Sequence, residues 1–279
     1  MKYVWETKGE PKLLEITVKS KVPQEVLISF EDVEIPGTFY SKQQTGVSGK
    51  EVFEISLPLT PQKLFFEIRP VHELQMPFME LVKSFNLSSL EFEVREKKFQ
   101  TKWRCTDKGP MLTEFIDFAS WFAKNANRLE ASHDYLHGDT FKLRYVPEIV
   151  DDQEFILLPD GSKVKNPNFG QPIPTSFRIH TRTKEIQASE KYVHQYTVPQ
   201  IMVLLTHEFS HLWINVDPDN EFEADYNSIM ICRCLGFSKR EIGDAYAQVF
   251  LRYYKQFPQA RNENRLRMER IMTVLSKLQ

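Results

Sequence analysis

The stretch Val198-Pro199-Gln200-Ile201-Met202-Val203-Leu204-Leu205-Thr206-His207-Glu208-Phe209-Ser210-His211 decides how the second half of this chain is read. Residues 201–205 are apolar on all sides, which predicts a buried helix rather than a surface one. Pro199 suits the first turn of that helix, where its missing N–H costs nothing. Positions i and i+4 of a helix share a face, so His207 and His211 can both offer a ring nitrogen to one metal ion. Glu208 follows the first of them directly, where a carboxylate can take a proton from a water that the metal activates. Trp213 and Ile214 continue the apolar character past His211. Ionisable groups carried into an interior need partners or a metal, which disfavours two histidines merely hydrogen-bonded to neighbours.

A zinc site needs a third protein ligand, and a catalytic one leaves a fourth position to water. Ten residues after His211 comes Glu221-Phe222-Glu223-Ala224-Asp225. The run between them, Asn215-Val216-Asp217-Pro218-Asp219-Asn220, consists of turn-formers and helix caps. Beyond it, Phe222, Ala224, Tyr226, Ile229, Met230, Ile231 and Leu235 predict a second largely buried helix, ended by Gly236. Two helices joined so tightly are antiparallel neighbours. A turn centred on Val216 sets His211 opposite Glu221 and His207 opposite Asp225, while Glu223 points away. Glu221 is therefore the preferred third ligand, and Asp225 the acceptor that orients His207.

The pattern H-E-x-x-H followed by E-x-x-A-D resembles the gluzincin metallopeptidases, especially the CAAX-processing and heat-shock membrane peptidases, and the phage-repressor-cleaving peptidases with E-x-E-A-[ND]. The resemblance covers about residues 198–236, with a shorter loop between the motifs than those families have. It implies a zincin-like metallopeptidase domain holding one Zn2+ per chain on His207, His211 and Glu221, with Glu208 as general base. More loosely, the short spacing is similar to metalloprotease-like proteins encoded by tailed phages of gut bacteria. A metzincin-type reading would move the third ligand to Asp217. That pattern wants glycine at position 214, and the β-branched Ile214 is poorly suited to positive φ. Glu221 is preferred, and Asp217 reads as a capping or turn residue.

The chain has 279 residues, 41% hydrophobic and 27% charged, within the usual range for a soluble globular protein of one large or two modest domains. A net charge of −2 gives no reason to expect nucleic-acid binding. No run reaches membrane-spanning length and the first residues lack a signal-peptide core, so a cytoplasmic location is expected, in the host or virion if phage-encoded. Three cysteines, Cys105, Cys232 and Cys234, suit free thiols; on a helix the last two point apart and pack into the core.

In residues 1–100, five period-2 runs (14–18, 26–30, 53–59, 64–68 and 90–94) predict an antiparallel, β-sandwich-like domain. It carries no catalytic constellation; docking, homo-oligomerisation or virion assembly is its expected role, and His72 reads as a linker or surface residue. The boundary is expected within 100–110. A second domain, 110–279, then begins with an amphipathic helix to about 129. Strands near 141–146 and 154–158, a loop over 160–174 and a hairpin over 177–187 follow. The resemblance makes segment 176–188 the edge that binds peptide substrate as an added strand. Helices are expected over 238–257 and from 261 to the end, the latter packing on its own domain or on a neighbouring subunit. His133, His137, His180 and His194 read as solvated residues, Tyr226 as core, and no transition-state stabiliser stands out. The α+β chain thus reads as a zinc metallopeptidase acting on a peptide or protein substrate. The alternative is a structural virion or tail-assembly protein that keeps a zincin-like fold.

Overall fold

The computed structural model describes residues 2–71, 90–99, 109–137, 140–158, 160–180 and 183–278. Residues 100–108 of the expected boundary (100–110), His72 and Cys105 lie outside them. The fold is mixed α+β. It divides into two compact units, Met1–Arg128 with Tyr196–Met202 and Met230–Ile242, and Leu129–Gln195 with Val203–Ile229 and Gly243–Gln279.

In the first unit, β1 (Lys2–Glu6), β2 (Lys12–Asp32), β3 (Phe39–Leu57), β4 (Lys63–Pro70) and β5 (Leu90–Lys97) form one antiparallel sheet. β3 runs along one edge of β2, while β4 and β5 share the other, at residues 26–32 and 13–20. The expected antiparallel sheet is present as one hydrogen-bonded sheet, with fewer and longer strands than the separate runs implied. Two of the alternating runs, 14–18 and 26–30, are halves of the single strand β2. Pairing with β3 lapses between Ser20 and Gln24, where Pro23 has no N–H to donate. The register resumes with even-numbered residues still inward, so Leu14, Ile16, Val18, Val26, Ile28 and Phe30 all stay buried. The first half of β3 escapes a hydrophobic reading because it is largely polar, Phe39 to Lys50 being rich in Ser, Lys and Gln. The helix α1 (Pro110–Asn125) buries Leu112, Phe115, Phe118 and Phe122 on one stripe. At its end Asn127 Nδ2 donates to Thr38 Oγ1 at 3.0 Å.

The second unit is built on a four-stranded mixed sheet, ordered β10 (Phe177–His180), β11 (Glu185–Ser189), β7 (Phe141–Val146), β6 (His133–His137). β11 runs parallel to β7, and the other pairs are antiparallel. β6 had no hydrophobic signature because its residues are mostly exposed. The segment expected as a loop, 160–174, contains a further short strand, β9 (Lys163–Lys165), paired with β8 (Phe155–Leu157). All three of its residues are exposed, so only backbone pairing reveals it.

The remaining helices are α2 (Glu190–Val193), α3 (Val198–Trp213), α4 (Glu221–Cys234), α5 (Lys239–Gln256) and α6 (Arg261–Lys277). Phe209 and Trp213 of α3 stack at 5.0 Å and meet Phe141 of β7 at 6.1 and 5.5 Å. Residues 209 and 213 lie about 200° around the helix from 207 and 211. Burying the aromatic face on the sheet therefore turns the histidines the other way, toward α4. Small polar side chains let these two helices close: Thr206 Oγ1 and Ser228 Oγ are 2.9 Å apart, and Ser228 donates to Val203 O at 2.7 Å. The buried hydroxyls are thereby satisfied. Gly236, at φ 92°, ends α4 in the left-handed conformation that glycine tolerates best. Cys232 and Cys234 are both buried. No helix among the described residues is long and apolar enough to cross a membrane.

Candidate metal centre

The turn between α3 and α4 is held by its own side chains. Asn220 Oδ1 accepts from Glu223 N at 3.1 Å, and Glu223 Oε1 accepts from Val216 N at 3.0 Å. Asn220 thus caps the start of α4, and Glu223 reaches back to tie that helix to the turn. Asp217 Oδ1 accepts from Asp219 N at 3.0 Å, which makes it a turn residue.

Across this hairpin His207, His211 and Glu221 form a group that could hold a metal ion, with their ligand atoms within 4.8 Å of one another. His207 Nε2 and His211 Nε2 are 3.1 Å apart. Glu221 Oε2 lies 3.3 Å from the first and Oε1 3.7 Å from the second. Each ring turns its other nitrogen to an acceptor. Asp225 Oδ1 is 3.0 Å from His207 Nδ1, and the Pro218 carbonyl is 2.7 Å from His211 Nδ1. The Pro218 carbonyl thereby fixes the His211 tautomer that presents Nε2 to the shared centre, and Asp225 stands behind His207 as an ion-pair partner. The donor set fits a divalent cation: three ligand groups of borderline character, two imidazoles backed by oxygen acceptors, and one carboxylate.

Burial is deep on the helix side and shallow toward the cleft. His207, His211 and Asp225 are 8%, 6% and 3% exposed, whereas the Glu221 side chain is 43% exposed. A cavity of about 550 Å³ opens there, and its walls include Phe177–Ile179, Glu208, Tyr246, Tyr253, Asn264 and Arg267. Glu208 Oε2 accepts from the backbone N–H of Ile179 at 2.8 Å. The outer edge of β10 therefore faces the carboxylate next to the ligand group. Arg252 of α5 holds the approach to that strand, donating to Ser176 Oγ at 2.8 Å.

Charge in this enclosure is shared unevenly. Burial opposes the cation on His207, but Asp225 and Glu221 outweigh it and raise the imidazole to about 10. Burial likewise pushes Glu221 up, and His207 and Arg267 outweigh it, holding the carboxyl down at about 2. Burial raises the Glu208 carboxyl, and Glu221 adds to the effect against the pull of the two histidines. A metal must displace the proton from His207, because only neutral imidazole ligates. Zinc uptake by the metal-free protein at pH 7 is therefore expected to release about one proton from this residue. Affinity should strengthen about tenfold per pH unit toward pH 10. Calorimetric titration in buffers of different ionisation heat reads that proton directly, and zero release would assign His207 a neutral resting state.

Three residues of this site had no signal in the sequence. Arg267 of α6 reaches Asp225 with Nε at 2.9 Å and Nη2 at 2.8 Å, and its Nη2 is also 2.9 Å from Glu221 Oε2. Tyr253 lines the cavity, and burial keeps its phenol protonated. Asn264 also lines it, with a buried Nδ2 that has no hydrogen-bond partner among the described residues. All three lie on helices that read as ordinary amphipathic segments. Tyr226, expected in the core, is 50% exposed and outside the cavity lining. None of the other described histidines belongs to the ligand group: His194 Nε2 is 2.9 Å from Tyr145 Oη, and His180 Nε2 is 3.8 Å from Asp152. Comparisons with protein-family models, with curated proteins and with solved structures found no match.

Proposed function

We propose that this chain is a zinc-dependent metallopeptidase of zincin-like architecture, with His207, His211 and Glu221 as ligands and Glu208 as general base. The observation that carries the reading is the meeting, at one cavity, of a two-His-one-carboxylate group with a separate carboxyl raised by burial. Two histidines and a glutamate leaving room for a fourth partner are a donor set of catalytic zinc. When bound, the metal would act as a Lewis acid toward the attacking water and the scissile carbonyl.

The chain's own residues supply the rest. Glu208, its carboxyl raised by burial, takes a proton from the attacking water and returns it to the leaving amide nitrogen. The edge of β10 beside it offers backbone groups to an extended peptide, which would lie as an added strand across the cavity. Tyr253, kept protonated, is a cavity-wall donor for the oxygen on which negative charge develops.

Elemental analysis of the purified chain, paired with a peptide-library digest, tests this. The expected result is about one zinc per chain and cleavage that stops on chelation and returns with zinc. A chain that binds zinc yet cleaves no library member would sink the enzymatic reading and leave the metal a structural role.

A further inference from the structure

Of the three groups that face the centre, the two histidines are backed from behind, His207 by an ion pair with the buried Asp225 and His211 by a hydrogen bond to the Pro218 carbonyl. Glu221 is different. Its side chain is 43% exposed and sits in the first turn of α4, at the mouth of the cavity. A glutamate there can swing into solvent, and something must oppose that loss of order. Arg267 reaches it from α6. Its guanidinium engages both oxygens of Asp225 and, through the same Nη2, Glu221 Oε2 at 2.9 Å. The group is itself located by the Phe250 ring, whose centroid is 5.0 Å from Cζ.

We propose that Arg267 is a positioning residue of the metal centre, one that clamps Glu221 and Asp225 together so that α6 completes the site begun by α3 and α4. This deepens the metal-site reading above and rests on it. The planar fork of arginine can bridge two carboxylates at fixed angles, which a lysine ammonium cannot. Charge supports the same role. Glu208, Glu221 and Asp225 put three carboxylates around the centre, and Arg267 with a divalent cation would balance them. Without Arg267, Asp225 would be left as a buried, underpaired carboxylate free to draw His207 out of its ligating pose.

The test is zinc affinity of the full chain, measured by competition with a chelator, beside the thermal melt of the metal-free form. Arg267→Met is expected to bind zinc about 10–100-fold more weakly, the range for losing a group that orients a ligand. Arg267→Lys should recover only part of that loss, since it restores charge without the fork. In an Asp225→Asn background, Arg267→Met should cost much less, because half of the clamp is already gone. Wild-type affinity in both Arg267 variants overturns the proposal. Failure of both to fold without metal also overturns it, since Arg267 would then serve the packing of α6. His211→Ala, run alongside, separates the layers. If it keeps zinc, the metal-site reading itself fails; if it loses zinc while Arg267→Met does not, only the clamp is wrong.

Discussion

Glu208→Gln is expected to keep zinc near wild-type affinity while kcat falls by roughly 10²–10⁴-fold, the span that a positioned general base contributes. The carboxylate stands outside the His207, His211 and Glu221 group, so the donor count is untouched. The amide oxygen of glutamine can still accept the Ile179 N–H that Glu208 Oε2 takes at 2.8 Å, so the local geometry has reason to persist. On the mechanism proposed above, what is lost is the ability to hold a proton between water and leaving group. The effect should therefore fall on kcat, with KM little changed, because binding in the ground state does not use that proton. Steady-state kinetics on any peptide that the wild type cleaves, with metal content measured on the same samples, reads both halves. Equal turnover by the variant would remove Glu208 from the mechanism.

What could be read from the amino-acid order was local. The i, i+4 spacing of His207 and His211, the six-residue turn and the periodicity of α4 act within 20 residues, and together they bring Glu221 beside the histidines and Asp225 behind one of them. Arg267 could not be read because it arrives from a helix 42 residues beyond Asp225, and its own segment shows only an amphipathic stripe. Tyr253 and Asn264 were hidden for the same reason: the packing of α5 and α6 decides which of their residues meet the cavity. In the sheets, alternation reported the buried faces well but not strand identity. The runs 14–18 and 26–30 read as separate strands, and only the resumed pairing from Gln24 makes β2 continuous. β6 and β9 bury little side-chain surface, and so hydrophobic periodicity had nothing to show.

The competition for third ligand gives the other large effect. Glu221→Ala removes a carboxylate that lies 3.3 and 3.7 Å from the two histidine Nε2 atoms. Zinc affinity should drop by more than the 10–100-fold that loss of a supporting residue costs, so at least about 100-fold is expected. Asp217→Ala removes a turn contact to Asp219 N at the protein surface. Its cost is of order 0.5–1 kcal/mol in stability, with zinc affinity within a few-fold of wild type. The pair is informative because the two carboxylates are only four residues apart, so a general loss of negative charge near the cleft would weaken both variants alike. Glu221→Gln sharpens the point: it keeps the side-chain shape and an oxygen donor but gives up the charge, and should fall between the wild type and Glu221→Ala. Equal losses in Asp217→Ala and Glu221→Ala would mean field strength and not ligation, while the reverse ranking would place Asp217 on the metal. The hairpin argues against that exchange. Asp217 is tied into the turn by its own side chain, and Glu221 faces both imidazoles from the first turn of the next helix.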